Sequence, residues 1–231
     1  MRIDILTLFP KMFEGFLSES ILGRAIKNEI VEVNLIDFRE FSKSKHKKVD
    51  DSPYGGGAGM VLGVQSVYDA LISIDGYKEA NKILLTPQGK KFEQDMAYKL
   101  SNKDHIIILC GHYEGYDERI RDLFDCEASI GDFVLTGGEI AAMVMVDAIT
   151  RVIPGVISKD ESHLNDSFSN NLLEHPHYTR PSEFMGEKVP EVLMSGNHKL
   201  IREWRLKESI KRTKERRKDL YLEYLKEQDN E

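Results

Sequence analysis

Residues 105–110, HIIILC, place five apolar side chains in a row after a histidine. This run constrains the chain more than any other. A strand with one wet face alternates apolar with polar residues, whereas an unbroken apolar run suits a strand covered on both faces. Parallel sheets clad by helices provide such strands, and the flanking pattern agrees. RIDILTL at 2–8, IVEVNLID at 30–37, KILLT at 82–86 and CEASI at 126–130 read as further strands. Between them, KMFEGFLSESILGRAIKN, VQSVYDALISI, KKFEQDMAYKLSN, YDERIRDLF and GEIAAMVMVDAITRV carry helical spacing. Strand–helix alternation of this kind predicts an α/β domain with a mainly parallel sheet.

After Pro154 the texture changes. The segment from Gly155 to Phe184 is polar, rich in Ser and Asn, and weakly periodic, as in a linker. From Asn197, a good helix cap, a helical region begins in which residues 199–218 hold ten Lys or Arg against three Glu. The chain as a whole has a net charge of −7, which excludes a nonspecific nucleic-acid coat and leaves this basic stretch as a local feature. Its stripe reads either as a solvated helix face or as a track for nucleic acid. The spacing of Leu200, Ile201 and Trp204 favours core over base stacking.

The start, MRIDILTLFPKMF, carries Asp4 inside its apolar stretch and reads as a strand, not a signal peptide. No segment approaches the roughly 18 apolar residues of a membrane span, so the cytoplasm is the expected compartment, without a membrane partner. Cys110 and Cys126 each end or begin a strand-like run and read as buried free thiols. Cys110-Gly111-His112 lacks the paired spacing of a zinc site.

Three turns follow three of the strands: TPQGK at 86–90, CGHYEG at 110–115 and IGDFVLTGG at 130–138. Ligands of parallel sheets sit beyond the carboxyl ends of the strands, so the three turns are expected to meet. They hold no GxxxxGK[ST] or GxGxxG phosphate motif. Instead they bring backbone groups together with Glu114, Asp132 and Glu139. A ligand with an adenine-like face, hydroxyls, positive charge and no phosphate suits them, as S-adenosylmethionine does. The alternative for Asp132 and Glu139 is that of helix-start acids facing a dipole. A further glycine-dense run, DDSPYGGGAGM at 50–60, permits close backbone approach or a lid. Ahead of it, Lys43, Lys45, Lys47 and Lys48 suit either a solvated loop or phosphate contacts.

These motifs occur together and in order with TRVIPGV, NDSF, HPHYTRP and SGNHKLIREWR. In this combination the chain closely resembles the bacterial tRNA (guanine-N1)-methyltransferases of the TrmD family over nearly its whole length. The resemblance implies a trefoil-knotted, mainly parallel α/β sheet flanked by helices, an obligate homodimer and a small all-helical C-terminal domain. Topology rules alone predict an unknotted sheet. The domains then run as a knotted cofactor-binding domain at 1–159, a linker at 160–174 and a basic tRNA-binding domain at 175–231. Carried over by motif, the S-adenosylmethionine contacts fall on Leu85, Thr86, Pro87, Gly111, Tyr113 and Glu114. They continue through Ile130, Gly131, Asp132, Phe133, Val134, Leu135, Gly137 and Gly138. The chain departs from the family at His112, where Arg is common, and trivially at Thr86, where Ser is common. Magnesium is also attached to the family. With no closed metal site in the sequence, any such ion is held partly by substrate or water.

The implied reaction is methylation of guanine N1 at tRNA position 37. Guanine N1 carries a proton at neutral pH, so the chemistry needs a base near N1 and a cation near O6. By resemblance, Asp166 is the base and Arg151 stabilises charge on O6, a geometrically favoured pairing. Taken by residue type alone, His163, His175 and His177 are alternative bases, and HPHYTRP reads more readily as a rigid corner. Arg180 is open between phosphate and an acidic partner. Two other functions compete: a noncatalytic nucleic-acid-binding module, and a relative that methylates ribose 2′-hydroxyls.

Overall fold

A computed structural model describes residues 1–157, 166–168 and 170–229. The chain divides into two compact units, Met1–Ser158 and Lys159–Glu231.

The first unit contains a five-stranded sheet. Its strands are β1 (Arg2–Thr7), β2 (Glu32–Asp37), β5 (Asn81–Lys91), β6 (His105–Leu109) and β7 (Cys126–Ser129), in the order β2-β1-β6-β5-β7. Every pairing is parallel. A separate antiparallel pair joins β3 (Asp50–Asp51) to β4 (Val61–Leu62). The helices are α1 (Glu14–Ser18), α2 (Ser20–Lys27), α3 (Val64–Ile72), α4 (Gln94–Ser101) and α5 (Glu139–Arg151).

The apolar run of β6 is explained by its place in the middle of this sheet. Ile106 and Ile108 point into a core shared with Leu22 and Ala25 of α2, Ala97 and Leu100 of α4, and Ala142, Met145, Val146 and Ile149 of α5. Ile107 and Leu109 point the other way, into a second core with Val67, Ala70 and Leu71 of α3 and with Phe38 and Ile120. With apolar layers on both faces, no position of β6 beyond His105 meets water, and the run cannot alternate.

Three local readings change in the structure. The helix expected over 11–28 is broken into a 3₁₀ turn at Pro10–Phe13, α1 and α2, with Ser20, the first residue of α2, at φ +59°. YDERIRDLF forms a 3₁₀ turn over Glu118–Leu123, whose Asp117 side chain accepts from the Arg119 N–H at 3.0 Å. The strand read at 82–86 runs on to Lys91, because the chain leaves the ladder and returns. Leu85 and Lys90 both pair with Ala128, so residues 86–89 bulge out as an excursion within β5. Gly89 sits where the excursion closes; a Cβ there would lie 2.5 Å from the Ala128 backbone nitrogen.

The second unit has the expected C-terminal helices and adds a short hairpin, β8 (Glu183–Phe184) with β9 (Glu187–Lys188). The Asn197 side chain caps the helix His198–Arg216, accepting from the N–H groups of Lys199 and Leu200. A last helix spans Lys218–Gln228. Trp204 is half-buried, with its ring 6.4 Å from that of Tyr178. Arg202, Arg205, Lys207, Lys211, Lys214 and Arg216 are exposed, while Arg212 donates to the Glu174 carbonyl. Residues at the end of the expected linker pack within this unit. Leu172 is buried, and the Leu173 N–H donates to Thr213 Oγ1 at 2.8 Å. Residues 160–165 and 169 of that linker, His163 among them, lie outside the described residues.

Candidate active site

The carboxyl ends of β6 and β7 and the excursion within β5 open into a cleft of about 440 Å³. Leu85 of β5 and Thr86 and Pro87 of its excursion line it, and the turn after β6 supplies Gly111, Tyr113 and Glu114. The turn after β7 supplies Ile130, Gly131, Phe133, Val134, Leu135, Gly137 and Gly138. The three turns therefore meet, as strand order requires. Asp132 is absent from the lining although its neighbours on both sides belong to it. Gln88, His112, Tyr116, Glu118 and Arg121 also line the cleft. Gln88 and His112 belong to the turns the sequence marks, whereas Tyr116 and the 3₁₀ turn bearing Glu118 and Arg121 are brought there by tertiary contacts that sequence spacing does not report.

Backbone bonds pin the second turn to the third and to β1. The Gly138 N–H donates to the Gly111 carbonyl at 2.9 Å, and the Cys110 N–H donates to that of Leu6 at 2.9 Å. Tyr113 takes a left-handed conformation, φ +65°. A Cβ on Gly138 would stand 2.7 Å from Cys110 Cα, so this glycine is required by close packing of the third turn on the second.

The electrostatics fit the absence of a phosphate motif. Among the described residues lining the cleft the only ammonium or guanidinium is Arg121. That group is already engaged: it bonds Glu127, lies 2.9 Å from Glu118 Oε1 and donates to Gln88 Oε1 at 2.6 Å. It also stands 5.3 Å from the Tyr116 ring centroid. Glu114 and Glu118 add carboxylates to the wall. Burial is the main cause raising the phenols of Tyr113 and Tyr116 above their ordinary value, so both stay protonated hydrogen-bond groups at neutral pH.

Glu139 does not contribute charge to the cleft surface. As the first residue of α5 it is 1% exposed. Its carboxylate accepts from Thr7 Oγ1 at 2.7 Å and bonds His112 Nε2 at 2.7 Å. Of the two readings of this acid, the helix-start position is the one observed, with two side-chain partners added.

The glycine-dense segment reaches the site. The Glu114 N–H donates to the Met60 carbonyl and the Leu62 N–H to that of Gly115. Gly59, at φ +84°, presses its backbone against the Glu114 side chain, while Tyr54 is fully exposed. In the preceding loop Lys43 pairs with Asp69, Lys47 with Glu40 and Lys48 with Asp51. Phosphate contact by these three lysines therefore requires exchanging an existing partner.

Arg151, the last residue of α5, is exposed, and Asp166 of the second unit is half-buried. His177 pairs with Glu174 at 2.7 Å, and burial is the main cause lowering His175 below the ordinary imidazole value. Among the described residues, no group of three or more His, Cys, Asp or Glu is placed to hold a metal ion. No described helix is long and apolar enough to cross a membrane.

The thiols differ from the reading that buried both. Cys110 is fully buried and Cys126 is exposed at the first position of β7. Burial, then the negative charge of Glu139, push the Cys110 thiol well above its ordinary range. Partial burial, then the charges of Asp125 and Glu127, raise the Cys126 thiol as well. The thiolate is the reactive form, but only Cys126 is open to reagent, so an alkylating reagent at pH 8 is expected to label Cys126 alone, and slowly, in the native chain. Labelling at Cys110 should appear only on unfolding, as peptide mass mapping will report.

A parallel sheet with a cleft beyond its strand ends, lined among the described residues by glycine turns, apolar side chains and carboxylates, defines an α/β protein with a candidate site for a small ligand. Comparison with known proteins narrows the class. A family model described as tRNA (Guanine-1)-methyltransferase TrmD matches residues 1–223. A tRNA (guanine-N(1)-)-methyltransferase of Geobacillus kaustophilus (strain HTA426) is 58% identical over 226 residues, covering 97% of this chain and 93% of its own. One from Limosilactobacillus fermentum (strain NBRC 3956 / LMG 18251) is 56% identical over 225 residues, with coverage of 95% and 89%. The chain belongs to the TrmD family of tRNA (guanine-1)-methyltransferases.

Proposed function

We propose that the protein methylates guanine N1 at position 37 of tRNA, in the cytoplasm, using S-adenosylmethionine as donor. The observation that carries the proposal is the cleft itself, taken with family membership over residues 1–223. Its volume suits a small cofactor, and Leu85, Ile130, Leu135 and Ala141 offer apolar surface for an adenine ring. The backbone of the glycine turns that line the cleft suits hydroxyls. The carboxylate of Glu114 suits a cationic ligand, and Arg121, engaged by Glu118 and Glu127, is consistent with a ligand lacking phosphate.

Bound S-adenosylmethionine supplies a methyl group activated by its sulfonium. The chain's residues have the remaining tasks. Asp166 takes the proton from guanine N1, and Arg151 balances the negative charge that this shifts to O6. The exposed basic residues of the helix His198–Arg216 hold the anticodon stem by its phosphates. The family's trefoil knot and homodimer belong to the same proposal. For the dimer, support comes from large apolar side chains left in water. Phe9 is 44%, Met12 47%, Ile140 48% and Val144 44% exposed, the last two on one side of α5.

The test is transfer of labelled methyl from S-adenosylmethionine to an unmodified tRNA transcript with guanosine at position 37. Nuclease digestion and mass spectrometry then locate the product. Methyl on guanine N1 at that position is expected. Methyl on a ribose 2′-hydroxyl, or cofactor binding without transfer, would overturn the assigned reaction.

A further inference from the structure

The buried acid behind the glycine wall has no task in the reaction above, and its surroundings are specific. Glu139 joins three segments distant in sequence: its own helix, the carboxyl end of β1 through Thr7, and the turn after β6 through His112. The Thr7 hydroxyl accepts from the Phe9 N–H at 3.0 Å, which directs its own hydrogen to the Glu139 carboxylate. To bond that carboxylate, His112 carries a hydrogen on Nε2. The His112 ring also packs edge-on against Phe9, with centroids 4.9 Å apart.

A leucine of similar size would fill this place without the cost of burying a carboxylate, even with the α5 N-terminus and two donors in support. An acid here therefore serves placement more than stability. What it places is visible at Gly137. A Cβ on that residue would lie 2.2 Å from His112 Cε1 and 2.7 Å from Glu139 Oε2, so the backbone of the third turn rests directly on the pair. His112, Gly137 and Gly138 all line the cleft. Any turn of the imidazole displaces that wall.

We infer that Glu139 is a positioning residue for cofactor binding, holding the Gly137–Gly138 backbone in its ligand-ready shape through His112 and Thr7. The inference rests on the S-adenosylmethionine reading of the cleft. Glu139→Gln keeps the volume and the acceptor for Thr7, but removes the negative charge that fixes the His112 tautomer and replaces the charge-assisted bond with a neutral one. The amide of His112→Gln reaches about as far as Nε2 and preserves the donor to Glu139. That of His112→Asn reaches only about as far as Nδ1.

The experiment is calorimetric titration of S-adenosylmethionine into the full-length wild type and the three variants, with steady-state kinetics and thermal melts on each. Glu139→Gln and His112→Asn should weaken cofactor binding about tenfold or more, the size of a lost charge-assisted hydrogen bond. His112→Gln should stay within about threefold of wild type. In all three, kcat at saturation and the KM for tRNA should change by less than about twofold. Undiminished affinity in Glu139→Gln would overturn the inference alone. So would equal losses in the two histidine variants, which indicate simple space filling, or losses spread evenly over kcat and both KM values. No binding by the wild type would overturn the cofactor reading and the inference with it.

Discussion

Asp166→Asn is expected to lower methyl transfer by about 10²–10⁴-fold, the usual contribution of a positioned general base. Asparagine keeps the size and can still hydrogen-bond to a guanine, but it does not accept the N1 proton. Affinity for S-adenosylmethionine and the melting temperature should match wild type, because none of the fourteen residues assigned to the cofactor is altered. Single-turnover kinetics with saturating cofactor and tRNA isolate the chemical step from binding. A normal rate would remove Asp166 from the role. His175 would then be the natural candidate, since burial favours its neutral form and leaves it able to accept a proton at neutral pH. Arg151→Ala tests the other half of the assignment and should lower the same step while sparing cofactor affinity.

The second large effect is expected from Gly138→Ala. Here the added carbon would stand 2.7 Å from Cys110 Cα, 2.9 Å from Gly111 N and 3.1 Å from the Cys110 carbonyl carbon. All three are backbone atoms, so no side chain can swing aside. The second and third turns have to separate, and the bond from the Gly138 N–H to the Gly111 carbonyl lengthens or breaks. Overpacking of this kind costs about 1–3 kcal/mol. In a chain of this size each kcal/mol lowers the melting temperature by about 2–4 °C. Cofactor affinity should fall at least tenfold, on the order of a displaced binding wall. Gly15→Ala is the internal control. It lies within α1 with nothing within 4 Å of the new carbon, and the helix propensity of alanine should leave stability equal or slightly higher. Equal behaviour of the two variants in melts and titrations would refute the packing argument.

Sequence patterns reported the parts of this protein that depend on near neighbours. The unbroken run of β6 announced a strand covered on both faces, because side-chain periodicity records burial one residue at a time. Glycine and proline marked the three turns, since these residues are chosen for local backbone conformation. Asn197 marked the start of the basic helix in the same way. Strand alternation then sufficed to bring the turns to one edge of the sheet.

Other features were decided only when distant segments met. The excursion of residues 86–89 exists because Leu85 and Lys90 both pair with Ala128 of another strand. The bonds of Glu139 reach Thr7, 132 positions away, and no spacing rule spans that distance. Its acid reads from sequence as possible ligand charge and proves to be buried behind the wall. Arg121, the cleft's one cation among the described residues, is neutralised by partners from the 3₁₀ turn and β7. Local periodicity, turn chemistry and motif order thus determined the fold class, the location of the cleft and the family. Tertiary packing decided which charges face the cleft and which stand behind its wall, because that depends on the burial of each carboxylate and on partners that folding alone brings within 3 Å.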